Sequence, residues 1–196
     1  MEFVLASASP RRKELLKEVV EDFVVCPAKG EEIQTSLSAK KVVKELAKQK
    51  AEEIFYAGNT NKIVLGADTV VALGKKILGK PTDEQDAIET LKSLSDRAHN
   101  VHTGVCFCYS SKGKVKSVCA VATTKVYFNA LSEEWIRKYV ASGSPMDKAG
   151  AYGIQDGGLV QKIKGSYSNV VGLPIELCKK IYAKIIKEIE NDKAGD

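Results

Sequence analysis

Phe3-Val4-Leu5-Ala6-Ser7-Ala8-Ser9-Pro10-Arg11-Arg12 turns from strand to helix within a few residues. The apolar run at 3–6 reads as a buried strand. Ser9 then offers a helix N-cap, and Pro10 stands where the first helical residue belongs. A strand that feeds a helix start leaves backbone N–H groups unpaired, and the helix dipole favours an anion there. Ser7, Ser9, Arg11 and Arg12 surround that point. Arginine's planar fork matches phosphate oxygens and keeps its charge near neutral pH. The segment reads as a phosphate site at the start of an α/β fold. The plainer alternative is a capped helix with solvated arginines.

Bulk properties narrow the class. A chain of 196 residues with 44% hydrophobic content can fill one large core. The formal charge of +5 is a mild excess with both signs interleaved, which suits an anionic small molecule better than a long nucleic acid. No apolar run approaches membrane-spanning length. Polar and charged residues at 7, 9, 11 and 12 interrupt any signal-peptide pattern. A soluble, cytoplasmic protein is expected. The five cysteines are odd in number and match no zinc spacing, so reduced thiols are expected. Cys106 and Cys108 would share one face of a strand, in or near the core, with a metal pair as the lesser alternative. His99 and His102 are three apart in an extended stretch and so face opposite sides, which prevents joint chelation.

Strand and helix signals alternate along the chain, with hairpins intruding, so a mixed sheet in an α/β architecture is expected. Short strands fall at 23–26 and at 62–67. A long amphipathic helix spans 38 to about 56 and is broken by Gly58-Asn59-Thr60-Asn61. A hairpin turns at Gly74-Lys75, between 70–73 and 77–78. A helix from 82 to about 94 carries Thr82 and Gln85 at capping-box spacing. Two longer strands, 101–110 and 114–129, join around Lys112-Gly113. A helix covers 132–140. Strand candidates at 159–163 and 170–171 flank the Gly165-Ser166 turn. Pro174 opens a last helix to about 189. One domain over 1–190 is expected, with 191–196 as a frayed polar tail.

Four segments carry candidate chemistry. Gly66-Ala67-Asp68-Thr69 ends an apolar strand, so Asp68 stands at a strand's carboxyl end, where α/β folds commonly place function. A turn-initiating Asp is the alternative. Lys50 falls within the apolar stripe of Val43, Leu46, Ala47, Ala51 and Ile54, so it either meets an anion or snorkels out. Pro81 holds Lys80 extended and can fix its direction. The stretch from Asp147 and Lys148 to Gln155 is rich in small residues, with glycines that allow close backbone approach. Gln155 carries both a donor and an acceptor, which suits a base edge.

Together these segments resemble the Maf family of nucleoside triphosphate pyrophosphatases. The resemblance rests on Ser7-x-Ser9-Pro10-Arg11-Arg12, Gly66-Ala67-Asp68-Thr69, Gly79-Lys80-Pro81, Lys148-Ala149-Gly150-Ala151-Tyr152-Gly153-Ile154-Gln155 and Asn169-Val170-Val171-Gly172-Leu173-Pro174. It implies an elongated mixed sheet flanked by helices, with a deep cleft, similar to the inosine triphosphate pyrophosphatases. It implies cleavage between the α and β phosphates, with Mg²⁺ or Mn²⁺. Asp68 matches the catalytic aspartate, with Lys50 and Lys80 beside it. Ser7, Arg11, Arg12, Thr69, Lys148 and Gln155 match substrate-binding positions, and Glu32 joins Asp68 near the metal. Arg11, Arg12, Thr69 and Gln155 resemble the branch acting on dTTP and UTP, with CTP and modified pyrimidines as further candidates. Asp156 stands where the family usually has glycine. The expected partner is a nucleoside triphosphate and the expected assembly a homodimer, with neither membrane nor nucleic acid. A division-linked regulator or nucleic-acid-binding protein is the alternative class.

Overall fold

The computed structural model describes residues 1–36, 38–58 and 60–194. In chain order the elements are β1 (Glu2–Leu5), α1 (Pro10–Leu16), β2 (Val24–Val25), α2 (Ala39–Tyr56), β3 (Lys62–Leu73), β4 (Lys76–Leu78) and α3 (Glu84–Leu94). There follow β5 (Ala98–Ser111), β6 (Lys114–Phe128), α4 (Glu133–Ala141), β7 (Val160–Lys164), α5 (Tyr167–Val171) and α6 (Ile175–Ala194). Short 3₁₀ turns fill the stretch between α4 and β7. The strands form one mixed sheet in the order β2-β1-β3-β5-β6-β7, with β4 pairing β3. β1 runs parallel to β2 and β3, and the remaining pairs are antiparallel. The expected mixed α/β sheet is present.

Alternation along the strands sends successive side chains to opposite faces. On one face Val4, Val64, Cys106 and Cys108 pack under Ala47, Ala51 and Phe55 of α2. On the other, Leu5, Leu65, Val105 and Phe107 meet Cys178, Ile181, Ile185 and Ile189, one stripe of α6. Further along that same face Val71, Val101 and Val126 pack with α3 and α4. Thr69 and Thr103 lie between these two apolar clusters.

Two glycines set how closely α2 approaches. A Cβ on Gly66 would collide with the Ala47 carbonyl oxygen, and one on Gly104 with that of Val43. The helix therefore rests directly on the backbone of β3 and β5. Gly104 is the β5 partner of Asp68, so this close approach occurs beside the candidate carboxylate.

Several expectations need correction. Asp68 does not end a strand: β3 continues through it to Leu73. Val170 and Val171 belong to the short helix α5, capped by Ser166, because Gly165 at φ 129° turns the chain before they can pair. The α3 cap is Asp83, which accepts from the Asp86 amide, while Asp86 accepts from the Thr82 amide. The helix at the carboxyl end runs past 189 to Ala194; residues 195–196, like Asn59 in the predicted break, lie outside the described residues. Cys106 and Cys119 form a disulfide, against the expected reduced thiols. The β5–β6 register makes them direct partners, with Cα atoms 4.0 Å apart. Cys26, Cys108 and Cys178 are free. The histidines diverge as expected: His99 bonds Tyr152 Oη at 2.8 Å and His102 bonds Thr123 Oγ1 at 2.9 Å. Burial pushes His99 down to about 4. No helix among the described residues is long and apolar enough to cross a membrane.

Candidate active site

A gap along one edge of β3 creates the site. β1 pairs β3 only as far as Leu65, and β4 takes up the same edge only from Val71. Between them the edge of β3 is open while β5 holds the other side. Side chains from both faces of the strand can reach that opening, so Asp68 and Thr69 both line one cavity of about 440 Å³. That is within the usual range for small-molecule sites. Arg11, Arg12, Glu32, Lys50, Lys80, Lys148 and Gln155 line it too. Ser7 does not; it stands behind Arg12.

Lys50 leaves the apolar stripe of α2 and meets two carboxylates. Its Nζ lies 2.7 Å from Asp68 Oδ1 and 2.8 Å from Glu32 Oε1. The lysine and Asp68 side chains are only 18% and 13% exposed, so this pair is mostly shielded from water. Glu32 is held in place by its loop. The amides of Lys29 and Gly30 donate to Glu53 on α2, and Ile33 exchanges two hydrogen bonds with Gln49. Sequence reasoning missed Gln49 and Glu53 as anchors of this loop, because polar residues off the apolar stripe of a helix carry no signal of a distant loop.

Helix α1 begins as expected. Ser9 caps it, accepting from the Arg12 amide at 3.4 Å. Arg12 then folds inward. Its Nε donates to the Gly172 carbonyl at 2.9 Å, Nη1 to Ser7 Oγ at 3.2 Å and Nη2 to Thr69 Oγ1 at 3.1 Å. Desolvation pushes this guanidinium below its ordinary pKa, and Asp68 pulls it back. Arg11 stays nearer solvent, 3.0 Å from Asp147. Asp147 also meets Lys148 at 3.0 Å, so one carboxylate joins cations from both walls of the cleft.

The loop bearing Lys148 and Gln155 is fixed from below. The Gly150 amide donates to the Gly79 carbonyl at 2.8 Å, tying this loop to the one that carries Lys80. Gly150 has φ 72° and a Cβ there would press on Val71, so this glycine serves packing onto β3 rather than approach to a ligand. Lys80 is exposed, with no ion-pair partner among the described residues. Gln155 is also exposed. Asp156 does not line the cavity: its carboxylate accepts from Tyr139 Oη and from Ser144 Oγ, with Lys148 at 4.0 Å. The left-handed backbone of this turn falls on Gly157 and Gly158 instead.

Fold and site define an α/β protein with a cationic cleft built around two carboxylates. The chain belongs to the Maf family: the Maf-like protein family matches residues 2–185. It is 48% identical over 189 residues to a dTTP/UTP pyrophosphatase of Agathobacter rectalis, covering 89% of this chain and 92% of that one. It is 45% identical over 180 residues to a dTTP/UTP pyrophosphatase of Thermococcus kodakarensis, covering 91% and 94%. Among solved structures, a HAM1 protein from Coxiella burnetii superposes with a TM-score of 0.51 at 18% identity, over 96% of this chain and 99% of that one. This last likeness shows the fold alone, and it agrees with the expected architecture.

Proposed function

We propose that this protein hydrolyses nucleoside triphosphates between the α and β phosphates, with dTTP and UTP as preferred substrates. The observation that carries it is the shielded Asp68–Lys50 pair facing Arg12 across one cavity. A basic carboxylate and several cations are what water attack on a phosphoanhydride needs. Asp68 takes the proton of the attacking water. The water oxygen bonds Pα as the bond from Pα to the bridging oxygen breaks, and pyrophosphate leaves. Arg12, Lys80 and Lys148 stabilise its charge, and Lys50 holds the carboxylate in place. Gln155 reads the base edge. The names of the relatives favour this enzyme over a division-linked or nucleic-acid-binding role.

Asp68 and Glu32 suit a divalent cation. Both are hard oxygen donors already converging on one positive charge, and Mg²⁺ is commonly held by one or two carboxylates completed by phosphate oxygens and water. Among the described residues no cluster of three or more His, Cys, Asp or Glu forms a metal site, so substrate oxygens would complete the shell. Bound there, Mg²⁺ or Mn²⁺ would neutralise charge on the departing pyrophosphate. A cytoplasmic location, where nucleotide pools are, and a homodimeric assembly belong to the same proposal.

The test is pyrophosphate release from a panel of nucleotides with Mg²⁺. kcat/KM for dTTP and UTP is expected to exceed that for ATP and GTP, because a site that bonds a base edge leaves polar groups unpaired with the wrong one. Asp68→Asn should lower turnover by about 10²–10⁴-fold in a folded protein. Near-normal turnover by that variant would remove Asp68 from its role.

A further inference from the structure

Arg12 is the most constrained cation in the cleft. Of the guanidinium's five N–H groups, three are taken by Gly172, Ser7 and Thr69. One remains on each terminal nitrogen, the number a bidentate grip on phosphate oxygens uses. What sets its orientation lies a layer deeper. Thr69 and Thr103 are direct cross-strand partners in β3 and β5, with their hydroxyl oxygens 3.0 Å apart. Thr103 is fully buried and donates to the backbone carbonyl of Asn169 at 2.9 Å.

The direction of each bond in this row is fixed by its ends. A guanidinium only donates, a backbone carbonyl only accepts, and each hydroxyl has one proton. Thr103 spends its proton on Asn169, so the Thr69 proton must fill the contact between the threonines. Thr69 therefore turns a lone pair, never its proton, towards Arg12. Asn169 anchors the far end by donating to the Val101 carbonyl at 3.1 Å and to Thr124 Oγ1 at 3.0 Å.

We propose that Thr103 is a positioning residue for phosphate binding: through Thr69 it holds Arg12 with its remaining two N–H groups aimed as a fork. This rests on the reading of Arg12 as a phosphate ligand. Without the Thr103 hydroxyl, Thr69 loses the contact that holds its Oγ1 in line with Arg12, and one of the three bonds that lock the guanidinium is weakened.

The experiment measures binding of inorganic tripolyphosphate by calorimetry, beside KM and kcat for UTP, in the wild type and in Thr103→Val, Thr103→Ala and Thr103→Ser. Loss of one hydrogen bond should weaken tripolyphosphate binding and raise KM by about fivefold to tenfold in the Val and Ala variants, with kcat moved less. Thr103→Ser keeps the hydroxyl and should restore both. A merely structural role would lower the active fraction, hence apparent kcat, and leave Kd and KM unmoved. Unchanged affinity in either folded variant, or weakened affinity that Ser does not rescue, overturns the proposal. A wild type that neither binds tripolyphosphate nor turns over any nucleotide overturns the phosphate-ligand reading itself, and the proposal with it.

Discussion

Lys50 lies on a helix stripe that is otherwise apolar, yet its ammonium sits between Asp68 and Glu32. A charge in that position is costly unless paired. The heptad offset from Val43 makes its inward direction legible from sequence, but its partners come from a strand and a loop that no local pattern links. Lys50→Met keeps the stem and removes the charge. Removing one preorganised electrostatic group commonly costs about 10²–10³ in turnover, and a loss of that order is expected, measured by pyrophosphate release with folding checked by circular dichroism. Unaltered turnover would return Lys50 to a packing role. Asp156 teaches the opposite lesson. Its charge directly follows Gln155 in sequence, where the family usually has glycine. Its carboxylate is consumed by Tyr139 and Ser144.

At the scale of elements, α2 and α6 depend on different contacts with the same sheet. α2 reaches the backbone of β3 and β5 only because Gly66 and Gly104 lack a Cβ. Gly104→Ala would force the helix off the strand, and overpacking of this kind costs about 1–3 kcal/mol or more. A lower denaturant midpoint together with impaired turnover is expected, since Lys50 rides on that helix. Gly79→Ala, where a Cβ meets nothing within 4 Å, should leave the midpoint nearly unchanged. α6 is tied to the β5–β6 hairpin through Glu188, which accepts from Lys116, Ser111 and Tyr109. Lys116 first, then the two hydroxyls, pull Glu188 down to about 2. Its pKa is thus lower folded than unfolded, so the stability it contributes is complete above about pH 4.3 and is lost as pH falls towards 2. The gap in urea midpoint between wild type and Glu188→Gln should be open at pH 7 and close by pH 2. The Glu188 side chain is 35% exposed, so added salt should also narrow the gap. A gap that stays constant with pH would assign the effect to packing.

At the scale of the whole molecule, the apolar clusters are closed by packing between the sheet and its helices, so a metal at the site would serve chemistry rather than folding. Chelation of divalent ions is expected to stop turnover while leaving the melting temperature of the nucleotide-free protein within a degree or so, because a ligand stabilises only in proportion to its binding. A large drop in melting temperature on chelation would make the metal structural. Much of this architecture is legible along the chain. The Ser9 cap with Pro10, the apolar stripe of α2, the hairpin at Lys112-Gly113 and the stripe Cys178, Ile181, Ile185 and Ile189 are all local, and each is written in residues a few positions apart. Cys106 and Cys119 lie equally far from that hairpin's turn, but cysteine count and spacing point to free thiols, and only the β5–β6 register brings the two sulfurs together. Two boundaries are not legible. The runs at 62–67 and 70–73 read as separate strands, and only continuous pairing with β5 joins them through Asp68. The turn at Gly165-Ser166 is legible, but 170–171 reads as a strand because the Ser166 cap that makes the segment helical is not. Sequence alone determined the order of most elements, the inward stripe of α2 and the residue types available for chemistry. Only the tertiary structure decided that β1 stops short of β4, opening one strand edge to both faces, and that a buried threonine pair lies beneath Arg12, because pairing between distant strands is a property of the whole sheet and of no single segment.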